Sequence, residues 1–219
     1  MSRPVRPGEP WGEAAAGPAD VVVAGGDAAL AAVVAAHPGA RVRFEPTGAS
    51  DFARAVGLGV PAAAPASEVE VDALEIEGGP PAMNAVVVGR PPDRTRWWTT
   101  APVLTVAVDG TPWYEGRATG LVVANGQYLR GHDLVPRGHP GDGWAELQCY
   151  ALGRGERAAL RRRLRSGGHV PHPRIRQGRA RVVEVTSGRP LALEVDGLAA
   201  GSADRIRVVV VPAAIRLLV

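Results

Sequence analysis

The chain is read as an α/β unit followed by a β-rich, sandwich-like body, and three observations carry that reading. Two consecutive runs, VVVAGGDAALAAVV from Val21 and RVRFEPTGASDFARAVGLG from Arg41, each pass from a strand-like segment through a small polar turn into a helix. Beyond a Pro/Ala/Ser connector the periodicity changes to short alternating runs. Gly-containing turns separate those runs, the pattern of a sandwich or rolled sheet.

In order, Val21, Val22 and Val23 form a β-branched run, Gly25-Gly26 permits positive φ, Asp27 is placed to cap, and Ala28 to Ala36 has helix composition. Such a turn aims backbone N–H groups and a helix N-terminus at one spot, which suits an anion. The second unit repeats the plan, with Val42 to Phe44 as strand, Pro46-Thr47-Gly48 as turn, and Ser50 or Asp51 capping a helix through Val56. Two such turns facing each other make a nucleotide cleft. The connector Val60 to Ser67 divides the chain into 1–66, the α/β unit, and 67–219, the β-rich unit.

Strands are expected over Val69 to Ile76, Met83 to Val88, Val103 to Val108, Gly120 to Ala124, Glu146 to Ala151, Arg179 to Val185, Leu191 to Val195 and Ile206 to Val211. Turns are expected at Asp109-Gly110, Asp142-Gly143, Ser187-Gly188 and Asp196-Gly197. One further helix is expected from Gly155 to Ser166. Leu160 and Leu164 share a face there, with Arg157, Arg161, Arg162, Arg163 and Arg165 crowded around them. That helix reads either as a dock on an anionic membrane surface, at about 1 kcal/mol per basic residue, or as a solvated face. The narrow apolar stripe favours the second.

Composition excludes several classes. All 25 basic residues are arginine, so a phosphate-binding lysine and a Schiff base are ruled out. A formal charge of +3 is too small to argue nucleic acid. Cys149 is the single cysteine, which forbids an internal disulfide and a cysteine-rich zinc site. No apolar run approaches the ~20 residues of a bilayer span, and the N-terminus lacks an apolar signal core, so a cytoplasmic protein is expected.

At the two loops the chain resembles the diacylglycerol kinase catalytic-domain family, which includes bacterial lipid kinases and sphingosine kinases and is related to NAD kinases. GGDAAL stands where that family has Gly-Gly-Asp-Gly-Thr-Leu, and EPTGASDFARAVGL where it has Pro-x-Gly-Thr-x-Asn-Asp-Phe-Ala-Arg-x-x-Gly-Leu. LVVANGQYLRGHDLVPRGHPGDGWAEL, LRSGGHVPHPRI, LALEVDGL and VVVVPAAIRLLV are similar to later family segments, in the same order. The resemblance implies a truncated NAD kinase/diacylglycerol kinase-like α/β domain, a β-sandwich-like second domain, and a closing strand, 206–219, that returns to the first. It also implies ATP-dependent phosphoryl transfer to a lipid hydroxyl, with ATP and Mg²⁺ as cofactors. Nucleotide would lie on Gly25, Gly26, Asp27, Gly48, Ala49, Ser50, Asp51 and Arg54, and Asp27 would serve as base. Asp142 and Glu146 match the acidic pair that holds a structural Mg²⁺ in bacterial members; otherwise they are a turn leading into a strand.

Departures from the family pattern point to impaired catalysis. Ala28 and Ala29 replace Gly and Thr, and a left-handed backbone at Ala28 would cost about 1–2 kcal/mol. The second loop is one residue short, with Ala49 and Ser50 before Asp51. Leu198 stands at the Glu of Asp-Gly-Glu, where bacterial members are thought to hold the general base, a loss of about 10²–10⁴ in rate. No counterpart of the family's opening strand precedes Val21, so an uncovered sheet edge, and with it a homodimer, is expected. The alternative to a weak lipid kinase is a catalytically inactive binding or scaffold protein.

Remaining candidates each carry two readings. Asp27 is a base or a helix N-cap. Asn84 and Asn125, the chain's two asparagines, contact ligand or satisfy buried backbone. His169 and His172 suggest a metal, but no third ligand is evident. Cys149 reads as a core thiol, and Trp97-Trp98 and Trp113-Tyr114 as pocket walls or core filling.

Overall fold

The computed structural model describes residues 13–14, 17–58 and 67–219, so most of the expected connector, 60–66, and most of the segment preceding Val21 lie outside the described residues. The described residues form fourteen strands: β1 (Glu13–Ala14), β2 (Val21–Gly25), β3 (Arg41–Pro46), β4 (Ser67–Ile76), β5 (Ala85–Gly89), β6 (Val103–Val108), β7 (Thr111–Arg117), β8 (Gly120–Ala124), β9 (Tyr128–Leu129), β10 (His132–Asp133), β11 (Ala145–Tyr150), β12 (Ile175–Ala180), β13 (Val182–Val195) and β14 (Leu198–Leu218). The α-helices are α1 (Asp27–Ala36), α2 (Asp51–Ala55) and α3 (Arg157–Arg163).

The α/β unit forms as the two runs predict. β2 and β3 pair in parallel, Val21 opposite Val42, and β3 pairs in parallel with the end of β14, Arg41 opposite Arg216. Parallel neighbours need crossover connections, which α1 and the length of the chain supply. Leu30, Ala31 and Val34 line the inner stripe of α1 and bury against Val23, Val42 and Phe44, while Phe44 meets Phe52 of α2 at 6.2 Å between ring centroids. Each large apolar side chain so covered contributes about 1.5–3 kcal/mol.

Twelve strands share one extended sheet. An antiparallel path runs β1-β4-β14-β13-β5-β8-β11-β12, and β6 and β7 branch from β13. β13 creates the sandwich. Its first half pairs β6, with Val185 opposite Val106, and its last residues pair β5, with Val195 opposite Val86. Between them lies an irregularity against β14 around Ser187 to Pro190, and bulges of this kind bend a strand from one layer into another. The enclosed core holds Val86, Val88, Leu104, Val106, Leu121, Leu147, Val183 and Val208.

Several expectations are corrected by this topology. Arg179 to Val185 is not one strand, because the chain breaks at Arg181 between β12 and β13. Ser187-Gly188 is not a turn between strands, since β13 runs through it. Asp109-Gly110 and Asp196-Gly197 do form tight turns, with positive φ at all four residues, as two-residue hairpins require. β7 escaped the alternation rule. It is an edge strand pairing β6 alone, it carries Pro112 and Gly116, and it has no buried apolar face of its own.

Candidate active site

The ends of β2, β3, β5, β8 and the β13–β14 turn converge on Asp27. Gly25, not Ala28, takes the positive φ at +150°, and a Cβ there would sit 2.8 Å from the Ala29 Cβ. Ala28 lies inside α1 in ordinary helical geometry, so the left-handed penalty does not arise. Gly26 is the N-cap residue and no side chain caps the helix. A Cβ added at Gly26 or Gly48 would meet nothing within 4 Å, which leaves both turns as open backbone beside the first turn of a ten-residue helix. That arrangement fits a phosphate. The two loops are also joined, Thr47 N–H donating to Gly25 O over 3.1 Å.

Asp27 is not the helix cap. Its Oδ1 accepts from the Ser50 hydroxyl, and its Oδ2 accepts from Phe52 N–H at 3.2 Å and from Asn84 Nδ2 at 2.7 Å. Three of about four lone-pair directions are thus taken. Ser50 caps α2 at the same time, its Oγ accepting from Ala53 N–H over 2.9 Å. Burial pushes the Asp27 carboxyl up, against the lowering pull of Ser50 and Phe52.

Asp196 reinforces the junction from the other side. Its carboxylate is buried and accepts from the backbone N–H groups of Met83, Asn84 and Ala85 at 2.7, 2.8 and 2.9 Å. Burial holds it up to about 6 despite those three donors, and the nearby Asp27 charge adds to the rise. Leu198, two residues on, is 61% exposed. Asn125 donates to Asp72 O and Met83 O, so it serves buried backbone, whereas Asn84 reaches the loop carboxylate. Gly126 is required beside it, because a Cβ would fall 2.5 Å from Asn84 Oδ1.

The other sequence candidates scatter. Asp51 accepts from Gly131 N–H over 2.8 Å, and Arg54 lies over the Tyr128 ring at 3.9 Å and donates to Gly131 O. Both therefore clamp the β9–β10 hairpin to α2. Ala49 lies in the turn ahead of Ser50. Asp142 and Glu146 are both ion-paired with Arg179, and no cluster of three metal-ligating side chains occurs among the described residues. One guanidinium offsets one of the two carboxylate charges, so the trio keeps a net negative charge. His169 is buried, its Nε2 3.2 Å from Gln148 Oε1, and His172 instead accepts from Arg174 N–H. Cys149 is a core thiol, pushed up to about 12 by burial.

Asp72 was missed entirely. Its buried carboxylate accepts from Gly143 N–H at 2.6 Å and Ala213 N–H at 3.0 Å, fastening the loop before β11 to a bend in β14. Alternation along β4 puts Asp72 in phase with Glu68 and Glu70, on the polar face, so the sequence pattern carried no signal of its burial.

The fold and the two facing loops define an NAD kinase-like and diacylglycerol kinase-like architecture. The chain belongs to the diacylglycerol kinase-like family: the family model described as the YegS C-terminal NAD kinase beta sandwich-like domain matches residues 95–219, more than half its length. Among solved structures, a diacylglycerol kinase from Bacillus anthracis str. Sterne is similar at a TM-score of 0.73 and 16% identity, over 90% of this chain and 76% of that one. Yeast NADH kinase, solved with NADH, is similar at 0.53 and 16%, over 90% and 60%. An NAD kinase from Archaeoglobus fulgidus, solved with ATP, is similar at 0.51 and 12%, over 90% and 76%. No curated protein sequence matches. The resemblance read from the loops is borne out at the level of family and fold. No helix among the described residues is long and apolar enough to cross a membrane.

Proposed function

We propose that the chain keeps a nucleotide-phosphate cradle of the lipid-kinase type and has weakened phosphoryl-transfer chemistry, with a lipid hydroxyl as the acceptor class. The supporting observation is the state of Asp27. The open turns at Gly25-Gly26 and Gly48 suit phosphate oxygens, but the Asp27 carboxylate beside them is spent largely on Ser50, Phe52 and Asn84. Its remaining Oδ1 lone pair is what could accept a hydroxyl proton. Leu198 supplies no second base. Phosphoryl transfer depends chiefly on positioning and electrostatics, so slow transfer survives loss of a base that commonly contributes about 10²–10⁴.

Titration of the purified chain with Mg·ATP tests the cradle, and a dissociation constant near 1 mM or tighter, about −4 kcal/mol, is expected. Turnover on diacylglycerol-type acceptors tests the chemistry. Leu198→Glu is expected to raise it at least about tenfold. Nucleotide binding without any turnover, in wild type and Leu198→Glu alike, would favour the inactive binding protein; absence of nucleotide binding by the folded chain would sink both readings.

A further inference from the structure

The sequence left α3 as a membrane dock or, by preference, a solvated face, but the structure assigns its parts elsewhere. Leu160 and Leu164 are in the core, and Arg157 is only 4% exposed. The Arg157 guanidinium donates from one nitrogen to the carbonyls of Arg96, Trp97 and Thr99 at 3.0, 3.2 and 2.6 Å, and Arg161 donates to Thr95 O. Two arginines of α3 thus hold a short loop after β5. That loop presents Trp97 and Trp98 to solvent, 63% and 61% exposed and in edge-to-face contact at 5.4 Å. Fastening a loop in order to expose two indoles goes against the burial tendency of aromatic side chains.

Directly beyond the tryptophans, Thr99 to Val103 lines an open pocket of about 610 Å³ together with Arg117, Arg154, Arg157 and Arg189. No carboxylate lines it. Arg117 donates to Ala101 O and Arg189 to the Thr100 hydroxyl, both neutral acceptors, while Arg154 has no hydrogen bond or ion pair among the described residues and its charge opposes that of Arg157. Val103, at the rim, is half exposed at 50%. Guanidinium groups without counter-ions, set beside exposed indoles, match the layering of a bilayer surface, where aromatic rings sit at headgroup level and anionic phosphates lie beside them.

We propose that this surface docks the protein on an anionic phospholipid bilayer, Trp97 and Trp98 entering the interface and the arginine pocket receiving a headgroup phosphate. None of its residues belongs to the loop cleft, so the proposal stands or falls independently of nucleotide chemistry. The test is co-sedimentation of the full chain with phosphatidylcholine vesicles, with and without phosphatidylglycerol. Partition onto the anionic vesicles is expected to be at least about tenfold stronger. Arg154→Glu with Arg189→Glu should abolish that preference, and Trp97→Ser with Trp98→Ser should weaken binding to anionic vesicles severalfold. Unchanged thermal melting certifies that each exposed-residue variant is folded. Equal partition onto both vesicle types, or variants that bind as wild type does, overturns the proposal. So does glycerol phosphate that binds the chain with the same dependence on Arg154 and Arg189 while vesicles do not, since that outcome marks a soluble-anion pocket.

Discussion

Asn84 Nδ2 donates to Asp27 Oδ2 over 2.7 Å, and through this one bond the residue just ahead of β5 in the second unit holds the first turn of α1 in the first. Around it, Asp196 collects the backbone N–H groups of Met83, Asn84 and Ala85, so a continuous polar cluster lies at the junction beside the apolar core that both units share. The carboxylate that would serve the chemistry is thereby also the carboxylate that keeps the loops in register.

Asn84→Ala removes the donor and leaves a half-buried carboxylate short of a partner, which costs about 1–3 kcal/mol. Urea denaturation is expected to show that loss. Mg·ATP affinity should fall with it, because Gly25 and Gly48 lose their common anchor. A variant of unchanged stability would mean that Asp27 does not depend on this bond.

Gly25→Ala should destabilise by about 1–3 kcal/mol, since the new Cβ meets the Ala29 Cβ at 2.8 Å on a backbone with positive φ. Adding Ala29→Gly relieves the contact but not the φ, so the double variant should recover part of the loss. Strict additivity in the double-mutant cycle would exclude the contact as the cause.

Arg157→Met keeps an unbranched apolar stem and abandons three carbonyls that now receive a guanidinium. A loss of about 2–4 kcal/mol is expected, with the emission of the two exposed tryptophans changing as their loop loosens. Arg157→Lys should not restore either property, because its shorter ammonium cannot serve the loop carbonyls and also Leu152 O, which the guanidinium reaches from its other two nitrogens.

Two buried groups titrate with opposite signs. Asp196 is held up at about 6 by burial, so the stability tied to its neutral form is fully present below about pH 4 and is lost as pH rises through 6. His169 is held down at about 4 by burial, so its contribution is present above about pH 6.5 and is lost as pH falls through 4. Each contribution is on the order of 3 kcal/mol at most. Urea midpoints measured from pH 4 to 6.5 should therefore tilt toward lower stability at high pH in His169→Gln relative to wild type. Asp196→Asn should tilt the opposite way, and identical slopes in the three proteins would reject both assignments.

Much of this architecture was readable from local chemistry. Valine runs, Gly25-Gly26, Ser50 and the Asp-Gly hairpins each act through their own backbone and near neighbours, so the strand-turn-helix units and most strands of the sandwich could be placed from the order of residues. Among the strands missed, which include β9, β10 and most of β12, β7 is one whose side chains carry no burial pattern, because it sits on an edge. Ser187-Gly188 misled because a bulge and a turn use the same residues, and only the pairing of β13 with both β6 and β5 distinguishes them.

Family, fold class and the presence of two glycine-containing strand-to-helix turns were determined by the sequence alone, since the turns depend on spacing within some ten residues. The fates of individual polar side chains were decided by tertiary structure. Asp27 became a clasp instead of a cap because Ser50 and Asn84, 23 and 57 residues away, arrive on its two oxygens. Arg157 became a buried strut, and Trp97 and Trp98 became exposed, because α3 packs its leucines inward and carries its guanidinium groups to a loop about 60 residues earlier. A hydrogen bond between distant residues leaves no periodic trace along the chain. It exists only once apolar burial has brought the elements together, and so those roles waited on the fold.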